Sequence, residues 1–121
     1  MGRRAFASIA ATAVAAVVAT TSQAAAPPVG VLPAGPVSSV VTRAGELVAV
    51  ALPHRSGGRE WRIARKFDSG VLREVSEADV GSNVVLVFKT TGRGSTTLAF
   101  GLTRGEKPRA LESRQFRVQV R

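Results

Sequence analysis

At the end of the chain Phe116, Val118 and Val120 alternate with Arg117, Gln119 and Arg121, and this two-residue period constrains the fold more than any other feature. Successive side chains on an extended strand point to opposite faces, so such a run buries one face and wets the other. The same habit holds from Val37 onward. "VSSVVT" is followed by the turn "RAGE", then by "LVAVAL", the polar knot "PHRSGGRE" and "WRIAR". "FDSG" leads to "VLREV", "SEADVGS" to "NVVLVFKT", "TGRG" to "STTLAFGLT", and "RGEKPRALES" to the closing "RQFRVQVR". Seven short runs at roughly regular spacing, with no helix-period stretch among them, predict an all-β, immunoglobulin-like antiparallel β-sandwich; a closed barrel is the other solution. Trp61, Leu86, Phe88, Leu98, Phe100, Phe116 and Val118 are expected to face inward. Trp61 at the start of the third run reads as an indole filling the space between two sheets; the other reading is an exposed stacking platform.

What precedes these runs is of another kind. Arg3 and Arg4 stand before the uncharged apolar stretch "AFASIAATAVAAVVATT", which ends in the small residues of "SQAAAPP". A positive start, a short apolar middle and a small-residue end predict a signal peptide over residues 1–26 and a periplasmic or secreted protein. The strongly apolar core, Ile9 to Ala19, falls short of the ~20 residues that span a bilayer, so no membrane span is expected after processing. "RRAF" resembles the twin-arginine export signal but does not settle the route. Residues 27–36, "PPVGVLPAGP", hold four prolines and two glycines and read as a linker or loose leading arm, leaving 37–121 for the sandwich.

Composition narrows the chemistry. There is no cysteine among the 121 residues, so neither disulfides nor thiolate sites stabilise an exported domain, and apolar packing must do so alone. Without Arg3 and Arg4 the 17 Lys and Arg fall to 15 against 8 Asp and Glu, a net charge of +7 that attracts anionic partners. Arginine outnumbers lysine 14 to 3, a profile that a GC-rich genome also produces. The cations are scattered, with no aromatic run among them to stack on bases, which disfavours nucleic acid. The single histidine, His54, has no nucleophile at motif spacing, and Glu74, Glu77 and Asp79 lack the spacing of a calcium loop. No catalytic residue, metal or cofactor is expected, and a monomer that binds through its loops remains.

The run "GELVAVALPHRSGGREWRIARKFDSGVLREV" resembles the opening half of the chagasin-like cysteine protease inhibitors, with Gly45, Leu52, Pro53, Gly58, Trp61, Asp68, Val71 and Leu72 at the family's positions. "VVLVFKTTGRGSTTLAF" matches the pattern of the fifth and sixth strands, and the resemblance covers Gly45 to Val120. It implies three contact loops at one end of the sandwich that enter the cleft of papain-like proteases. The family's Asn-Pro-Thr-Thr-Gly-Tyr positions are occupied by His54, Arg55, Ser56, Gly57, Gly58 and Arg59. The second loop is represented by Gly81, Ser82 and Asn83 within a span from Glu77 to Asn83. The third begins with Arg104, Gly105, Glu106 and Lys107, without the family's aromatic residue. The resemblance implies a papain-like cysteine protease as partner. The other reading of the same loops, with Arg55, Arg59, Arg104, Lys107 and Arg109, is a grip on an anionic envelope polymer or acidic protein. Glycine at 57 and 58 lets the backbone approach a narrow cleft, so a β-branched residue at Gly58 is expected to weaken binding without lowering the unfolding midpoint.

Overall fold

A computed structural model describes residues 28–121; the expected signal peptide and its cleavage site lie outside them. The seven runs become seven strands, β1 Val37–Thr42, β2 Leu47–Pro53, β3 Arg59–Ile63, β4 Leu72–Val80, β5 Asn83–Thr90, β6 Gly94–Arg104 and β7 Glu112–Val120. They form two sheets, β1-β7-β6-β3 and β2-β5-β4, which pack as a sandwich because each has one apolar face to cover. Alternation does what the sequence predicts. In β2, Val48, Val50 and Leu52 are buried between exposed neighbours, and in β7 Val118 and Val120 are buried while Arg117 and Gln119 are exposed.

Between the sheets, Phe88 and Leu86 meet Leu98, Phe100 and Val118 in one cluster with Val48, Val50, Leu52, Val71, Leu72 and Val120. Two edge-to-face aromatic pairs run through it, Phe67 with Phe88 at 5.7 Å between centroids and Phe100 with Phe116 at 5.9 Å. This is the favoured geometry for rings, with positive edge on negative face. Trp61 and Phe116, expected inward, pack against the cluster but are only partly buried. The indole N–H is satisfied by the carbonyl of Pro53 at 2.8 Å.

Three expectations need correction. The sandwich is not wholly antiparallel, since β1 runs parallel to β7 from Val37 opposite Gln115 to Thr42 opposite Val120. No hairpin joins these strands, so nothing forces an antiparallel return. The polar stretch "SEADV" is not loop but the second half of β4, paired with β5 up to Val80 opposite Asn83. A bulge between Glu74 and Ser76 shifts the register, and past it Glu77 and Asp79 face the same side as Leu86 and Val84. β4 tolerates this polar sequence because it lies at a sheet edge, where its residues from Val75 to Val80 are exposed. The third strand begins two residues earlier than expected, at Arg59 rather than Trp61.

The leading arm carries no strand, yet it is not loose. β6 is buried on both faces from Leu98 to Thr103, which an exposed sheet surface would not allow. Val29 of the arm is buried, and a Cβ on Gly101 would stand 2.9 Å from its Cγ1 and 3.1 Å from Leu32 Cδ2. The absent side chain of Gly101 is what lets the arm lie against the sheet. Gly30 N–H donates to Pro108 O at 2.7 Å and Gln115 N–H to Pro36 O at 3.0 Å. Ser113 Oγ–H donates to Pro33 O at 2.6 Å, so the prolines, which lack donors, serve as acceptors.

Candidate functional site

The connections after β2, β4 and β6 come together at one pole, with the first in the middle. Its His54 N–H donates to Ser82 O of the second connection at 2.9 Å, and Gly58 O accepts from Gly105 N–H of the third at 3.0 Å. The first connection runs from His54 to Gly58, and Gly57 and Gly58 have φ of 76° and 73°. Two successive left-handed residues favour glycine at both positions. Nothing lies within 4 Å of where either Cβ would stand, so the tip presents bare backbone to the outside. The conformation corrects one expectation: a β-branched residue at Gly58 would be strained at its φ of 73° and would lower the unfolding midpoint as well.

The second connection is a two-residue turn, Gly81 and Ser82, with Gly81 at φ 61°. The expected longer loop from Glu77 is absent because β4 continues to Val80, and Asn83 is the first residue of β5, opposite Pro53. The third connection, Gly105 to Leu111, is shorter than the expected run "RGEKPRALES", because Arg104 ends β6 and Glu112 and Ser113 begin β7. Glu106 and Lys107 are exposed at its tip. Arg59 and Arg104 are strand ends rather than loop residues, standing opposite each other in register on β3 and β6.

The contacts that hold this pole escaped the sequence reading, as did the residues Arg62 and Thr103. Arg55 grips Glu112, at the start of β7, through Nε and Nη2 to the two carboxylate oxygens, both at 2.9 Å. Such a fork is the strongest form of the interaction, and it fixes the first connection to the opposite sheet. Asp79 of β4 accepts from His54 Nε2 at 3.1 Å. Arg62 donates to Thr103 Oγ1 at 3.1 Å and to Lys107 O at 2.7 Å, anchoring the third connection. Thr103 in turn donates to Gly105 O at 2.6 Å. Opposite charge on Arg55 and Glu112 was visible, but their 57-residue separation leaves no local sign that they meet. Neither Ser56 nor Ser82 gives a hydroxyl hydrogen bond to His54 among the described residues.

Two carboxyl groups titrate away from the ordinary range. The hydrogen bonds from Arg55, with its charge and those of Arg114 and Arg59, hold Glu112 low against a smaller opposing effect of burial. Its contribution to stability is present above the usual carboxylate pKa and fades as pH falls through the lowered value. Glu74 goes the other way, pushed up first by burial and then by the charge of Glu77. Its ionised form is therefore disfavoured in the folded state, and the penalty appears as pH rises through the raised value. Glu74→Gln is expected to raise the unfolding midpoint at pH 7 and to leave it unchanged below about pH 4, where the native carboxyl is already neutral. Equal midpoints at pH 7 would show that Glu74 is fully solvated.

Neither protein-family models nor curated protein sequences match the chain. Solved structures resemble it in fold, among them the following two. The cysteine protease inhibitor EhICP2 from Entamoeba histolytica is 18% identical, with a TM-score of 0.55 over 74% of this chain and 99% of that one. PbICP-C, solved in complex with falcipain-2, is 13% identical, with a TM-score of 0.52 over 78% of this chain and 98% of that one. The architecture of the described residues, seven strands in two sheets, is a sandwich fold shared with the cysteine protease inhibitor EhICP2 and with PbICP-C.

Proposed function

We propose that the protein is an exported inhibitor of papain-like cysteine proteases whose three polar loops occlude the active-site cleft. One observation carries the reading. On a fold shared with EhICP2 and PbICP-C, the three connections named by the chagasin-like resemblance are hydrogen-bonded into a single wedge with glycine backbone at its tip. Backbone at the tip can enter a narrow cleft without a side chain in the way. The wedge is braced from below by Arg55, Trp61 and Arg62, so it is ordered before it meets a target, and less ordering free energy is lost on binding.

The test is residual papain activity, then that of a panel of papain-like proteases, after addition of the purified domain beginning at Pro27. Inhibition at micromolar concentration is expected, and an uninhibited panel would end the inhibitor reading. Gly58→Asn keeps a residue that tolerates positive φ while adding a side chain at the tip. It is expected to weaken inhibition at least tenfold, about 1.4 kcal/mol, with little change in midpoint. Export is checked by mass spectrometry of the secreted or periplasmic protein, which is expected to begin between Ala24 and Pro27. Recovery of the exported chain with Met1 intact would contradict it.

A further inference from the structure

Arg59 and Arg104 stand directly opposite each other on β3 and β6, and like charges in that relation repel across a strand pair. The fold does little to relieve them. Among the described residues neither guanidinium is in an ion pair. Each makes one hydrogen bond, Arg59 Nε to Ser56 O at 2.7 Å and Arg104 Nη1 to Gly57 O at 3.5 Å. Both are aimed at the backbone of the wedge, which holds them at its base with most of their donors unused. Of the neighbouring acids, Glu112 is taken by both arms of Arg55 and Asp79 by His54, while Glu60 and Glu77 line a cavity with Arg59 without forming an ion pair with it among the described residues. Lys107 and Arg109 stand nearby, and with Arg104 and Leu111 they line a shallow cavity of about 220 Å³. Positive charge is thus gathered beside the first and third loops, where Arg59 occupies the position of the family's aromatic residue.

We infer that this cluster is the specificity element of the wedge and that it selects targets with Asp or Glu side chains on the cleft rim facing the first and third loops. The inference rests on the inhibitory reading above. A guanidinium matches a carboxylate through two parallel N–H···O bonds, which makes recognition directional as well as electrostatic. The compact arrangement, one in-register pair and one small cavity at a pole, suits a few protein carboxylates. A long polyanion would need a stripe of cations along a face.

The experiment compares inhibition constants for two inhibited papain-like proteases, one with an acidic cleft rim and one without, at about 0.05 and 0.5 M salt, because rim charges are screened between these limits. For the acidic target, Arg59→Gln and Arg104→Gln are each expected to weaken inhibition about tenfold at low salt and to flatten its salt dependence. Arg104→Lys, which keeps the charge but not the fork, is expected to fall between. For the other target the same variants should change inhibition less than about twofold. The unfolding midpoint serves as the structural readout, and it should hold or rise in Arg104→Gln, because a repulsion is removed. Wild-type inhibition that both Gln variants retain at full strength would overturn the inference while leaving the inhibitor reading intact. A wild-type domain that inhibits no protease but binds a sulfated polysaccharide through the same arginines would overturn both.

Discussion

Phe88→Ala is expected to cost about 3 to 5 kcal/mol of folding stability, measured by chemical denaturation. Phe88 is fully buried on β5, the central strand of its sheet, and its ring meets the edge of Phe67. Truncation removes the transfer free energy of the ring and leaves a cavity that strands on either side cannot close. A domain of this size has about 5 to 15 kcal/mol in all and no disulfide in reserve, so the loss removes from about a fifth to all of its stability. A cost below about 1 kcal/mol would mean that the ring is not between the sheets.

Shortening the chain to begin at Val37 is expected to cost about 2 to 4 kcal/mol relative to the chain beginning at Pro27. The loss combines the burial of Val29 with the hydrogen bonds that Pro33, Pro36 and Gly30 make to β7 and the third loop. It also uncovers Gly101 on the outer face of β6, where Val29 and Leu32 lie against it. Ordering the arm offsets part of this gain, which keeps the figure well below the sum of its contacts. Inhibition should fall with stability, because Gly30 holds Pro108 within the third loop. An unchanged midpoint would show that β6 tolerates a bare outer face.

The sequence made the strands legible where burial is one-sided. Val48, Val50 and Leu52, or Phe116, Val118 and Val120, write their orientation into the residue order. It misled where polar composition masked a strand, and where an element's partner is far away in sequence. β4 beyond Val75 reads as loop because its composition is polar, and the bulge that turns Glu77 and Asp79 toward Val84 and Leu86 has no residue of its own to announce it. The arm's prolines and glycines read as looseness, since the hydrophobic surface they cover belongs to a strand some 70 residues later. The positions of the three loops came from the chagasin-like resemblance, and their meeting at one pole follows from strand order. What stiffens them did not: the Arg55–Glu112 fork exists only once both sheets are in place, and the His54–Asp79 contact only once β2 and β4 flank β5.

The parallel pairing of β1 with β7 has a consequence for the order of folding. The first strand of the sandwich can take its place only beside the last, so the larger sheet stays incomplete until Glu112–Val120 is available. Sequence separation of this kind slows folding, because a long loop must close before the contact repays its entropy. During synthesis Val37–Thr42 therefore has no strand to pair with until β7 has emerged.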